Sequence, residues 1–151
     1  MKKGKKIVIL LTLVLLLSAC DRSKDEVLDS LGSYESKKVY TGEGFQDSTD
    51  YAKYCYEDVD FSDNQYFEPL TPESEQDLKA HIEDFEQWIE MFKSNDSNKA
   101  VVKGYDFDSS VISDGDYLYI YDDPDYPELG NYNVYFFDTE TMTLYYFHNN
   151  I

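Results

Sequence analysis

The sequence predicts an α+β domain in which one amphipathic helix packs on a small antiparallel sheet of about four strands. Three observations carry this reading. Leu78, Ile82, Phe85, Ile89 and Phe92 recur at spacings of four and three, the period of a helix with one apolar stripe. Tyr117-Leu118-Tyr119-Ile120-Tyr121 alternates by twos, the period of a strand. Tyr132–Phe137 and Leu144–His148 are two aromatic runs joined through Asp138-Thr139-Glu140-Thr141-Met142-Thr143, which reads as a hairpin.

The helix has a marked start. Thr71 is a good N-cap, Pro72 suits the first helical position, and Glu73 and Glu75 favour the positive end of the helix dipole. The pattern runs to about Lys93, where Ser94-Asn95-Asp96-Ser97-Asn98 ends it as polar loop. Trp88 and Met91 widen the stripe, and His81 lies one residue off it, on its border.

Four strands are expected after the helix. Ala100–Tyr105 has the composition of the first. Tyr117–Tyr121 is the second, preceded by an Asp114-Gly115 turn signal and stopped by Asp122-Asp123-Pro124-Asp125, with Pro127 and Gly130 keeping the chain irregular beyond it. The hairpin supplies the third and fourth. A four-residue loop pairs Asp138 with Thr143 and puts Tyr135, Phe137, Leu144 and Tyr146 on one face. A five-residue loop places Val134, Phe136, Leu144 and Tyr146 together instead. In either register neither face is polar, so each side of the hairpin needs a cover. Residues 51–67, with Tyr51, Tyr54, Tyr56, Val59, Phe61, Tyr66 and Phe67, belong to the same body as a strand or a wrapping arm.

The first twenty residues are of another kind. Lys2, Lys3, Lys5 and Lys6 precede an apolar run from Ile7 to Leu17, broken only by Thr12. That run is shorter than the roughly 20 apolar residues a membrane-spanning helix needs, and it fits the hydrophobic region of a secretory signal. It leads into Leu17-Ser18-Ala19-Cys20, which resembles the lipobox of bacterial lipoproteins at all four positions. The resemblance implies that residues 1–19 are removed and that Cys20 receives a diacylglyceryl thioether. It also implies that the chain is held by lipid on the outer side of the cell membrane. Buried acyl chains contribute about 0.8 kcal/mol per methylene, so two or more make a stable anchor. The tail from Tyr132 to Ile151 is also similar to small lipoproteins of Gram-positive bacteria that end in an aromatic hairpin and His-Asn-Asn, a likeness that bears on location and not on chemistry. Residues 20–50, sparse in apolar side chains, read as an acidic tether, with a short helix at Asp25–Leu31 compatible with it. The domain is then expected over residues 51–151.

The 151 residues carry a formal charge of −18. Loss of the four leader lysines takes Lys and Arg from 13 to 9 against 31 Asp and Glu, a charge of −22. Such a body repels phosphate backbones and anionic headgroups, which excludes nucleic acid as a partner and favours basic ones. With Cys20 lipidated, Cys55 is a single thiol without a bridge partner. Glu57 and Asp58 beside it disfavour the thiolate, so Cys55 reads as a buried small hydrophobe.

Few constellations point to chemistry. Asp106, Asp108, Asp114, Asp116, Asp122, Asp123 and Asp125 are numerous enough for calcium, but the calcium-loop template fails at Val111 and Tyr117. His81 and His148 are too few for a metal site or a triad, and no nucleophile-elbow, zincin or phosphate-loop motif occurs. No metal, no cofactor and no catalytic residue is therefore expected. The remaining signal is aromatic. Tyr117, Tyr119 and Tyr121 share one strand face, to which the hairpin adds Tyr135 and Tyr145 or Tyr146. Exposed rings among carboxylates would form a protein-binding surface. Covered by residues 51–67, they would be a second core. The expectation is a membrane-anchored, extracytoplasmic, non-enzymatic module binding a basic protein or peptide; the alternative is an envelope protein contacting cell-wall glycan.

Overall fold

The computed structural model describes residues 25–42, 48–94, 96–125 and 130–150. The expected leader, the Leu17–Cys20 motif and the start of the expected tether lie outside the described residues. The chain divides into two compact units, residues 1–30 and residues 31–151. In the first, α1 (Glu26–Asp29) is one turn, capped by Asp25 Oδ1, which accepts from the N–H groups of Val27 (3.1 Å) and Leu28 (3.0 Å).

The second unit is α+β with one open antiparallel sheet. Its strands are β1 (Ser36–Gly42), β2 (Ser48–Cys55), β3 (Glu68–Pro69), β4 (Tyr117–Asp122), β5 (Tyr132–Asp138) and β6 (Thr143–Asn150). They lie in the order β1-β2-β6-β5-β4-β3, each neighbour antiparallel. The sheet thus has six strands rather than about four.

Two differences account for two of the three extra strands, β3 being a two-residue pairing with β4. β1 falls in the stretch read as tether, and the compact unit starts at Leu31 rather than at residue 51. β1 is an edge strand with mostly exposed side chains, so backbone pairing with β2 holds it and no apolar alternation marks it. β2 likewise starts at Ser48, before the expected boundary. A third difference runs the other way: Ala100–Tyr105 is not a strand but lies largely in a helix, Lys99–Gly104. Packing overrides the β propensity of its valines, since Val101 is buried in the core and Gly104 admits the Tyr40 ring.

The long helix follows the sequence closely. It spans Pro72–Phe92 (α2 hereafter, with Lys99–Gly104 as α3), and Thr71 and Ser74 form a reciprocal cap. Leu78, Ile82, Phe85 and Ile89 are buried against Tyr51, Leu118, Tyr132, Val134, Phe136 and Phe147 of the sheet. Fully burying a side chain of this size contributes about 1.5–3 kcal/mol, so this layer carries most of the hydrophobic stabilisation. His81 is buried too; Nδ1 lies 2.8 Å from the Asp77 carbonyl and Nε2 2.8 Å from Asp122 Oδ1, which ties α2 to β4.

The hairpin takes the four-residue loop. Asp138 pairs with Thr143, so Val134, Phe136, Tyr145 and Phe147 face α2. By strand alternation Tyr135, Phe137, Leu144 and Tyr146 share the opposite face, and Tyr135, Phe137 and Leu144 are buried there as well.

Candidate functional site

The second face is covered by residues 56–67, which run as an arm over it. The Tyr56 N–H donates to the Met142 carbonyl at 2.9 Å, fixing the arm's start to the hairpin loop. Asp60 Oδ1 accepts from the Ser62 N–H (2.9 Å), and Asn64 Oδ1 accepts from the N–H groups of Tyr66 (2.9 Å) and Phe67 (3.1 Å). These side-chain turns bend the arm so that its rings meet the sheet. Phe61 lies flat on Tyr117, with centroids 3.9 Å apart and planes within 6°. Tyr66 meets Tyr119 edge-on at 5.5 Å, and Phe67 lies 6.5 Å from both Tyr119 and Tyr135.

Beside the arm opens a cleft of about 740 Å³. Its apolar wall is Phe61, Phe67, Tyr117, Phe137 and Met142, and its carboxylates are Asp58, Asp60 and Glu68. Asp58, Asp60 and Glu68 are exposed, and none of the described lining residues is Lys, Arg or His. The N–H and hydroxyl of Ser62 hold the Asp60 carboxyl below the usual carboxylate range, so it stays ionised. Gly115 (φ +96°) makes the turn into β4 at the cleft wall, a left-handed position that glycine adopts without cost. Aromatic rings edged by anions suit a cation on an apolar stem, as in arginine or lysine, because ring faces and carboxylates attract the same charge.

A buried carboxylate supports this end of the sheet. Asp116, fully buried, accepts from the N–H (2.8 Å) and hydroxyl (3.2 Å) of Ser113 and from the N–H (2.9 Å) and hydroxyl (3.0 Å) of Thr139. It joins the turn before β4 to the β5–β6 loop.

The tyrosines expected to bind divide into three groups. Tyr117, Tyr119 and Tyr135 come together on the second face but under the arm, and Tyr135 is buried. Tyr121 stays exposed, at 47%. Tyr145 is on the other face, packed on Phe107 and Phe136, because the four-residue register turns it toward α2. Tyr146 takes the expected place, 4.8 Å from Tyr135. The cleft residues Phe61, Phe67, Asp58, Asp60 and Glu68 were not among the expected set. The turn-forming Asp60 and Asn64 around Phe61 were the signal for them.

A second, smaller cleft of about 230 Å³ lies between Ser36, Lys37, Lys38, Lys53, Cys55, Thr141, Thr143 and Tyr145. Cys55 is half-buried at its wall, not a core residue, and shares its sheet face with Lys38 and Lys53, whereas the Lys37 ammonium lies 5.5 Å from the centroid of the Tyr34 ring. β2 ends at Cys55, and Glu57 and Asp58 leave it with the arm, Asp58 to line the other cleft.

A polar chain crosses the second face at the far end of β2, β6 and β5. Ser48 Oγ lies 2.9 Å from His148 Nε2, His148 Nδ1 lies 3.0 Å from Asn133 Oδ1, and the Tyr146 hydroxyl donates to Asn133 Oδ1 at 2.8 Å. Burial raises the neighbouring Asp50 carboxyl above its ordinary value, against the attraction of His148 and a hydrogen bond to Thr41. The order hydroxyl, imidazole, carboxamide is that of an activated nucleophile, but neither cleft is lined by any of the three.

The aspartates considered for calcium are used separately. Asp106 bonds Tyr51 and Lys53, Asp108 caps a short 3₁₀ turn, Asp116 is buried as above, Asp122 meets His81, and Asp123 accepts from the Asp125 N–H. No group of three or more His, Cys, Asp or Glu among the described residues is placed to hold a metal ion.

No protein family, curated protein or solved structure matches this chain.

Proposed function

We propose that this chain is a lipid-anchored extracytoplasmic protein whose domain is a non-enzymatic binding module for a basic protein or peptide. The observation that carries the binding reading is the cleft beside the arm, where Asp58, Asp60 and Glu68 edge an aromatic wall. A lysine or arginine side chain lays its methylenes on Phe61 and Tyr117 and its charge among the carboxylates. The overall charge of −18 steers such partners inward. Three exposed carboxylates at the cleft, with no Lys, Arg or His among its described lining residues, weigh for a cationic partner over neutral cell-wall sugar rings. Retention on peptidoglycan that free basic peptide does not relieve would favour the glycan alternative.

The membrane location rests on the likeness of Leu17-Ser18-Ala19-Cys20 to a lipobox. Metabolic labelling with a fatty-acid analogue tests it. Label on the wild-type chain that is lost in Cys20→Ala supports the anchor, and an unlabelled chain freely released into the medium contradicts it.

A further inference from the structure

We propose that an extended basic peptide segment docks by adding a strand to the outer edge of β4, in line with β3. The inference rests on the reading of the partner as basic and specifies how its backbone is held. β3 covers only part of this edge: Glu68 pairs with Leu118 and Pro69 with Tyr117, while β4 runs on to Asp122. The Leu70 N–H donates to the Asp116 carbonyl at 2.8 Å, so residue 116 turns its carbonyl toward that edge. Asp123, an odd number of residues on, turns the other way, and its N–H donates to the Asn131 carbonyl at 2.9 Å. Backbone groups alternate in direction along an antiparallel strand, so the N–H and C=O of Ile120 and Asp122 point out from the edge. Among the described residues no strand pairs with them there. Asn64 accounts for the opening. Continued upstream, β3 would bring Phe67 and Tyr66 opposite Tyr119 and Ile120. Asn64 Oδ1 instead accepts the N–H groups of both, at 3.1 and 2.9 Å, and the arm turns over the second face.

An unpaired edge is a template for another strand, and proteins commonly blunt it with lysine, proline or a bulge. β4 has no lysine or proline, and its register with β5 is continuous from Tyr117 to Asp122. Tyr121, exposed on the second face, offers a ring beside which a cross-strand side chain can pack. Charge selects the occupant. Residues 58–70 hold four Asp or Glu and residues 113–125 hold five, and neither stretch has a Lys, Arg or His. Asp116 is buried, and Asp122 engages His81 on the side that carries α2. Glu68 and Asp125, both exposed, remain at the two ends of the open stretch, with Asp123 half-buried beside Asp125. A second copy of this chain would bring another −18 to the same place, so a basic segment fits this edge better than self-pairing does. Glu68 and Pro69 also line the acidic cleft, so a segment laid along Ile120 and Asp122 points toward it.

The test is amide hydrogen exchange of the full chain, purified in neutral detergent, with and without a short peptide of alternating valine and lysine. Expected is a saturable slowing at the Ile120 and Asp122 amides, by about tenfold or more, because a strand hydrogen bond protects an otherwise open N–H. A peptide of alternating valine and glutamate should give none. Ile120→Pro removes one outward donor and leaves the hydrogen bonds to β5 in place, since those come from the alternate residues. It should weaken binding of the lysine peptide about threefold or more, the worth of one hydrogen bond. Slowed exchange at Ile120 and Asp122 with the Phe61 ring unmoved upholds the edge and overturns the seat in the cleft. A shifted Phe61 ring with unchanged exchange does the reverse. Equal protection by the glutamate peptide, or undiminished binding by a folded Ile120→Pro, overturns the proposal. The wild-type exchange decides the matter even if the variant does not fold.

Discussion

Phe61 lies face to face on Tyr117, 3.9 Å between ring centroids, and so joins the arm to the outer face of the sheet. Its edge also meets Phe137 at 5.1 Å and Phe67 at 5.6 Å. One ring therefore closes the second core and forms a wall of the acidic cleft. Phe61→Ala removes both roles. Aromatic pairs contribute about 0.5–1.5 kcal/mol beyond their buried area, so with that area the half-buried ring is worth about 2–3 kcal/mol. Chemical denaturation measures the loss, and tyrosine accessibility to iodination should rise at Tyr117.

Asp116 is expected to be as costly to lose as a large core residue. Its four donors, on the exposed Ser113 and the half-buried Thr139, would lose their acceptor, and hydrogen bonds to a charged group contribute about 1.5–3 kcal/mol. Asp116→Ala should lower stability by about 1.5–3 kcal/mol. Asp116→Asn, which keeps one acceptor, should cost clearly less. Equal denaturation midpoints for the two variants would contradict the assignment.

Gly104 is required by close approach. A Cβ at this position would fall inside the Tyr40 ring, which itself stacks on Tyr51 at 6.2 Å. Overpacking of this kind costs about 1–3 kcal/mol. Gly104→Ala should therefore destabilise the domain although alanine favours a helix, and Tyr40→Ala in the same chain should recover part of the loss.

The pH dependence has two opposed parts. Asp50 and Asp84 have raised values, in both cases mainly through burial. Their stabilising contribution is present below the unfolded carboxylate value of about 3.9 and is lost as pH rises through their folded values. Asp60, Asp106 and Asp108 have lowered values; theirs is present above about 3.9 and lost as pH falls through their folded values. Melting temperature should therefore peak at mildly acidic pH. Asp50→Asn should raise it at pH 7, with the gain shrinking as the pH approaches 4. A gain that does not shrink on acidification would contradict the assignment to Asp50.

The parts legible in sequence were those whose pattern is local. Thr71, Pro72 and the Leu78–Ile89 stripe define α2 with no reference to the rest of the chain. The aromatic hairpin, apolar on both faces, already required two covers, and the structure supplies them as α2 and the arm. What sequence could not carry was pairing. β1 is held by its backbone, so nothing in Ser36–Gly42 announces it. Val101 and Val102 have strand propensity and are in a helix because of the Tyr40 ring and the core beyond it. The side of Tyr145 turns on a single residue of loop length. The acidic cleft was not legible: Tyr117 was expected on a strand face with Tyr119 and Tyr121, and Phe61 joins it only through the turns that Asp60 and Asn64 make.

Whether the cleft takes cationic side chains is decided by titrating the full chain with a short arginine-rich peptide. Side-chain resonances of Phe61 and Tyr117 report the site. Saturable shifts are expected at both rings, with an affinity that falls with salt. Neutralising the rim in Asp58→Asn, Asp60→Asn, Glu68→Gln should weaken binding about tenfold or more, given charge-assisted contacts of about 1.5–3 kcal/mol. A glutamate-rich peptide of equal length should leave the rings unmoved. Equal response to both peptides, or undiminished binding by the rim variant, would contradict it.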